Sequence, residues 1–154
     1  MKTKLLTTLV LIAFSSSAFP AERRDDPIQK QLQNLQGTWT VVFSEQNGER
    51  RSDLEEVRKM RLTIKGETWT LDFHNNVKDQ RAATMKLDPA QKPKAVDLAF
   101  TNGLPTGETI RAIYELKGDD LKFCFADESK QRPKNFDSKE GPGGRWLLVL
   151  KRQK

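Results

Sequence analysis

The sequence predicts an all-β fold: an eight-stranded antiparallel up-and-down barrel, with a short N-terminal helix and a short helical turn in its first long loop. Three observations predict it. From residue 38 onward, short runs alternate apolar and polar side chains with period two, which turns one face of a strand toward a core. Gly, Asn, Asp and Pro punctuate these runs at short intervals, as in hairpin turns. The closing run, Trp146-Leu147-Leu148-Val149-Leu150, is apolar on both faces, as in a strand covered on both sides. Eight is the strand number at which a meander closes around its own side chains or one small ligand, with the first strand pairing the last.

Residues 1–18 read as a secretory signal peptide. Lys2 and Lys4 give a positive start, Leu5 to Phe14 is nearly all apolar, and Ser15-Ser16-Ser17-Ala18 offers small residues for cleavage after Ala18. The run is shorter than the ~20 apolar residues of a membrane span, so the expected product is exported, periplasmic or secreted, and not inserted in a membrane. Cleavage leaves 136 of the 154 residues, the length of one domain. They carry 25 basic and 21 acidic residues, interspersed as in Glu49-Arg50-Arg51-Ser52-Asp53-Leu54-Glu55-Glu56. That mixture is a solvated surface and excludes a nucleic-acid patch.

Residues 19–34 form a lead-in. Asp26-Pro27 starts a helix, and Ile28, Leu32 and Leu35 share its apolar face. The barrel domain spans 35–152. Gly37 releases the first strand, Thr38 to Ser44, with Trp39, Val41 and Phe43 on one side. Asn47-Gly48 marks a turn. Ser52-Asp53-Leu54-Glu55 is a capping box before a helical turn that aligns Leu54, Val57 and Met60. Leu62 and Ile64, the turn Lys65-Gly66-Glu67, and Trp69, Leu71 and Phe73 make a hairpin. After a turn at His74-Asn75-Asn76, the strand Gln80 to Leu87 turns Ala83, Met85 and Leu87 inward. Beyond the loop Asp88 to Pro93, Val96, Leu98 and Phe100 face inward and Ala95, Asp97 and Ala99 outward. The turn Asn102 to Gly107 precedes a strand with Ile110, Ala112 and Tyr114 on one face, and Gly118-Asp119 leads into Leu121, Phe123 and Phe125. Residues 127–144 are a long irregular connection. The amphipathic lead-in helix is expected to pack across one end of the sheet, and it is one cover for the last strand.

Little in the chain assembles a reaction. One histidine and one cysteine cannot build a Ser-His-Asp arrangement or a zinc site, and one cysteine cannot make an internal disulfide. His74 reads as a polar turn residue, and Cys124, between Phe123 and Phe125, as a buried small hydrophobe. Gly141-Pro142-Gly143-Gly144 precedes a strand instead of a helix, so it is a flexible loop and not a phosphate cradle. Asp72, Asp97, Arg81 and Arg111 fall on solvent-facing positions. No catalytic residue, metal ligand or cofactor is expected, and the protein reads as a non-enzyme.

The barrel interior is the feature that bears on function. Trp39, Phe43, Trp69, Phe73, Phe100, Tyr114, Phe123 and Phe125 point into it with Met85. One reading is a pocket for a small apolar or amphipathic ligand, lined by Trp69, Phe73, Met85, Phe100, Tyr114 and Phe123 and oriented by the Tyr114 hydroxyl. The other is that these side chains fill the barrel, which the small interior of eight strands favours. The protein is then a structural or interaction domain of the cell envelope. Either version is expected to be monomeric. Residues 127–144 discriminate: Arg132 and Phe136 turned outward make a partner surface, whereas Phe136 over the mouth makes a lid or plug.

Gly37-Thr38-Trp39 opening an eight-strand meander resembles the lipocalin and calycin families, in which Gly-x-Trp begins the first strand and a basic residue of the last strand packs over the indole. The resemblance implies Gly37, Trp39 and Arg152 as a structural closure of the barrel, with Lys151 or Arg145 as the other candidate cations. The Thr-Asp-Tyr motif of lipocalins is absent, since the chain reads Lys117-Gly118-Asp119-Asp120 there. A more extensive resemblance is to an uncharacterised small secreted domain of planctomycete proteins. It is carried by Leu35-Gln36-Gly37-Thr38-Trp39, Leu62-Thr63-Ile64-Lys65-Gly66, Leu87-Asp88-Pro89 and Lys92-Pro93-Lys94-Ala95-Val96-Asp97-Leu98. It continues through Gly107, Ile113-Tyr114-Glu115-Leu116, Leu121-Lys122-Phe123-Cys124, Arg132-Pro133 with Phe136, and Leu148-Val149-Leu150-Lys151-Arg152. This covers residues 33–152 and implies a lipocalin-like barrel with no established activity.

Overall fold

A computed structural model describes residues 26–51, 55–73, 79–103, 107–126, 131–139 and 145–154. The expected signal peptide, the start of the lead-in, residues 52–54 of the capping box, His74 and the glycine-rich run at 141–144 lie outside the described residues.

The lead-in forms helix α1 (Pro27–Leu35), started by Asp26, whose carboxylate accepts a hydrogen bond from the Ile28 amide at 2.9 Å, with Pro27 in the first turn. Leu32 and Leu35 are buried, while Ile28, expected on the same face, is 41% exposed. Strand β1 (Gly37–Gln46) follows, then a two-residue strand β2 (Glu49–Arg50), helix α2 (Glu55–Lys59), and the hairpin β3 (Arg61–Lys65) and β4 (Thr68–Asp72). The chain continues through β5 (Gln80–Asp88), β6 (Lys94–Phe100), β7 (Thr109–Lys117), β8 (Asp120–Phe125) and β9 (Trp146–Arg152).

Each strand from β3 onward pairs antiparallel with its neighbour, β3 pairs β1, and β9 returns to pair β1. The result is a closed eight-stranded antiparallel barrel with β2 as an extra strand. β2 exists because Asn47 and Gly48 adopt φ of 56° and 78°, the two positive values of a tight hairpin turn, which folds Glu49–Arg50 back onto β1.

Period-two alternation sets the core as the sequence predicts. Leu62, Ile64, Trp69, Leu71, Met85, Leu98, Phe123 and Leu148 are all within 4% of full burial. The exception is β1. Its register with β9 slips between Val41 and Phe43, so Val42 is an inserted residue and the alternation reverses beyond it. Val42 is 45% exposed, and Phe43, expected inside, turns to the outer face, where the Arg50 guanidinium lies 5.5 Å from its ring centroid. Ser44 takes the inward position instead and accepts a hydrogen bond from Trp146 Nε1 at 2.9 Å.

The helix α1 packs across one end of the barrel, as expected, and caps it. Gln36, just past its C-terminus, donates to the Gly66 carbonyl at 3.0 Å and accepts from the Gly66 amide at 2.6 Å, tying the helix to the β3–β4 turn. On the other side, Lys94 Nζ donates to Gln31 Oε1 at 3.0 Å.

Residues 131–139 neither turn outward nor cover the mouth. They form a strap on the outer wall of β6, β7 and β8. Arg132 donates to the Val96 and Ala112 carbonyls at 3.0 and 2.7 Å and pairs with Asp97 at 2.5 Å. Asp97, expected in solvent, is therefore a half-buried anchor. Ala95, Ile113 and Cys124 point away from the barrel axis yet are at most 1% exposed, and Pro133 of the strap is buried with them. The far end is held by buried Ser138, whose hydroxyl donates to Glu45 and accepts from the Gly48 amide.

Candidate functional site

The capped end of the barrel is a structural closure. Trp39 is fully buried and its Nε1 donates to the Leu35 carbonyl at 3.1 Å, so the first strand's indole is fastened to the helix that caps it. Arg152 is the cross-strand partner of Trp39, and its guanidinium lies 4.1 Å from the ring centroid. The same guanidinium donates to the Gln36 and Asn34 carbonyls at 2.6 and 2.7 Å and pairs with Asp119 at 3.3 Å. Gly37 runs at φ 120°, which favours glycine, and a Cβ there would also sit in tight contact with Arg152 Nη1 at 3.3 Å.

Of the six residues expected to line an interior pocket, five are core. Trp69, Met85, Phe100, Tyr114 and Phe123 are at most 5% exposed. Their rings pack on one another: Trp69 meets Phe100 and Phe125 edge-on at 6.0 and 6.1 Å, Phe123 stacks on Phe125 at 5.6 Å, and Tyr114 lies 6.3 Å from Phe123. Two polar atoms in this core, Trp69 Nε1 and the Tyr114 hydroxyl, have no hydrogen-bond partner among the described residues. Burial pushes the Tyr114 phenol up to about 12, with the Asp88 charge adding to the effect. The phenol is neutral at physiological pH.

The sixth residue, Phe73, is only partly buried and stands at the opposite, uncapped end. It stacks on Trp146 with 6.5 Å between centroids and 14° between planes, and Trp146 in turn meets Phe125 at 5.3 Å, so the pair is the exposed continuation of the core's aromatic row. The Arg81 guanidinium lies 4.9 Å from the Phe73 centroid. Arg81 was expected in solvent, but it shares parity with Ala83, Met85 and Leu87 and so points toward the mouth.

Phe73 and Trp146 form one wall of a cleft of about 350 Å³. Val57 of α2 and Met60 just after it add apolar lining. Ser44, Gln46, Arg51 and Glu56 supply its polar rim. Ser44 is there because of the Val42 bulge, and Arg51 is held by its amide, which donates to the Ser44 carbonyl at 2.7 Å. The volume sits at the lower end of the ~300–1,000 Å³ range of small-molecule sites. Apolar walls with a few polar groups at the rim suit an amphipathic molecule. Sequence reasoning missed Trp146 and Arg51 as site residues. Trp146 shares parity with Leu148 and Leu150, which was the available signal; nothing marked Arg51.

Cys124 is fully buried beneath the strap, and burial pushes its thiol up to about 11, which leaves it a protonated hydrophobe. Among the described residues no group of three His, Cys, Asp or Glu side chains could hold a metal ion. The chain matches no protein-family model and no curated protein, so the barrel and the chemistry of its mouth carry the functional argument.

Proposed function

We propose that this protein is an exported binding module that takes a small apolar or amphipathic ligand at the mouth of its barrel. The observation that carries the reading is the half-exposed Phe73–Trp146 stack walling a molecule-sized cleft, where the aromatic row of the core reaches the surface. A flat apolar body lies against Phe73 and Trp146 and meets the apolar lining of Val57 and Met60, while Arg51, Glu56 and Ser44 meet its polar group. The interior stays closed to it, because the rings behind Phe73 are in mutual contact. Export by a signal peptide cleaved after Ala18, a monomeric state, and membership of the planctomycete-type secreted domains belong to the same reading. The Gly37–Trp39–Arg152 closure supports the lipocalin-like character of the barrel.

Trp146 lines the cleft, so intrinsic fluorescence tests the proposal. Titration with a panel of fatty acids and aromatic carboxylates gives a saturable change in the native protein, and Trp146→Phe abolishes it while the fold persists. Absence of any saturable change across the panel favours the second reading, a structural or protein-interaction domain of the cell envelope. The observation on that side is the packed interior itself, with five expected pocket residues spent on the core.

A further inference from the structure

We propose a second binding site, for a small organic anion with a flat apolar body such as an aromatic carboxylate, at the capped end of the barrel, opposite the mouth. A cleft of about 370 Å³ opens there between the β5–β6 loop, the end of β7 and the strap. Its walls are apolar: Pro89 and Pro93 on the loop, Leu116 on β7, and Phe136 on the strap. Three ammonium groups, those of Lys92, Lys94 and Lys117, stand around it against a single carboxylate, Glu115.

The charge is left over once the internal contacts are made. Glu115 is already engaged by Lys117 at 3.0 Å and by Lys122 at 3.7 Å, and these lysines hold its carboxyl below the usual carboxylate range, the Lys117 hydrogen bond first. Asp88, at the start of the same loop, accepts from the Ala90 amide and the Gln91 side chain. Lys94 is the decisive group. It is half-buried, it faces the barrel end, and its only partner among the described residues is the neutral amide oxygen of Gln31. A partly desolvated ammonium with a neutral partner is an unpaired charge, and an anion in the cleft would complete it. Lys92 on the loop has no ion pair among the described residues and is exposed to meet the same anion. Phe136, held with Lys122 Nζ 5.2 Å from its centroid, supplies the platform for a ring.

This site is independent of the mouth, and no tryptophan lines it, so the two are separable by experiment. The amide NMR spectrum of the full-length mature protein is followed during titration with naphthoate and, separately, with neutral naphthamide. The expected result is saturable shifts at Lys94, Leu116 and Phe136, with naphthoate about tenfold or more tighter than naphthamide. The double variant Lys92→Glu/Lys117→Glu, whose substitutions are on the exposed surface, weakens naphthoate by about tenfold or more while the far-UV circular dichroism is unchanged, the exposed Lys117–Glu115 pair it breaks being a minor contribution to stability. Shifts confined to Phe73 and Trp146, no shifts at all, equal affinity for acid and amide, or an unaffected double variant would each overturn the proposal.

Discussion

Replacing Trp39 with alanine removes the indole that joins the first strand, the last strand and the capping helix. The side chain is 0% exposed, and truncating a buried aromatic to alanine costs about 3–5 kcal/mol. Two further losses add to this. The Leu35 carbonyl loses its indole donor, a hydrogen bond of about 1 kcal/mol. Arg152 loses the ring face beneath its guanidinium, about 0.5–1 kcal/mol at a partly exposed site. The total, about 4.5–7 kcal/mol, is about a third or more of the 5–15 kcal/mol that stabilises a typical domain. Trp39→Phe separates the terms: it keeps most of the ring and loses the N–H donor, and its cost should be nearer 1–2 kcal/mol. Urea denaturation followed by far-UV circular dichroism measures both. A loss below about 2 kcal/mol for Trp39→Ala would refute the reasoning, because the ring would then not be the buried closure of the barrel.

Three other perturbations follow from the same contacts. Tyr114→Phe removes a buried hydroxyl that has no partner among the described residues, so it should be neutral or stabilise by up to about 1 kcal/mol in urea melts, and a clear destabilisation would show that the hydroxyl is paired. Arg132→Ala releases the strap from Asp97, Val96 and Ala112 at a cost of about 1–3 kcal/mol, and it should turn Cys124 from inert to reactive toward a thiol reagent under native conditions; unchanged reactivity would mean that the strap does not shield the thiol. Stability should also fall in alkali. Folding raises the Cys124 thiol from 9.0 to about 11 and the Tyr114 phenol from 10.0 to about 12. The protonated forms are favoured in the folded state, so their contribution is complete below pH 9.0 and 10.0 and is lost as pH rises through about 11 and 12. The loss is on the order of 2–3 kcal/mol for each group, and Tyr114→Phe should remove the upper part of the fall.

The barrel was legible because its strands carry their sidedness in the sequence. Trp69 and Leu71, Ala83 to Leu87, and Val96 to Phe100 alternate so strictly that only one face of each could be buried. The same logic placed Phe43 wrongly, since a single inserted residue, Val42, inverts every position after it and leaves no mark in composition. Arg81 was misplaced for a different reason: its charge was given more weight than its parity, although a mouth position lets a guanidinium share a buried face. The strap was the least legible part. Arg132 and Asp97 are 35 residues apart in sequence, and Ala95, Ile113 and Cys124 are buried by a segment with no periodicity of its own. The candidate site suffered most from this blindness to tertiary packing. The aromatic residues were identified, but which of them form the core and which reach the surface depends on how the barrel closes.

The most direct test of the central proposal, that ligand binds at the mouth and the interior is core, uses the three indole N–H signals of the proton NMR spectrum. Trp39 and Trp69 are buried, and Trp146 lines the mouth cleft. Titration with an amphipathic aromatic ligand that quenches fluorescence should move the Trp146 indole signal and leave those of Trp39 and Trp69 in place. Movement of the Trp69 signal would place the ligand inside the barrel among the core rings, and would contradict this account.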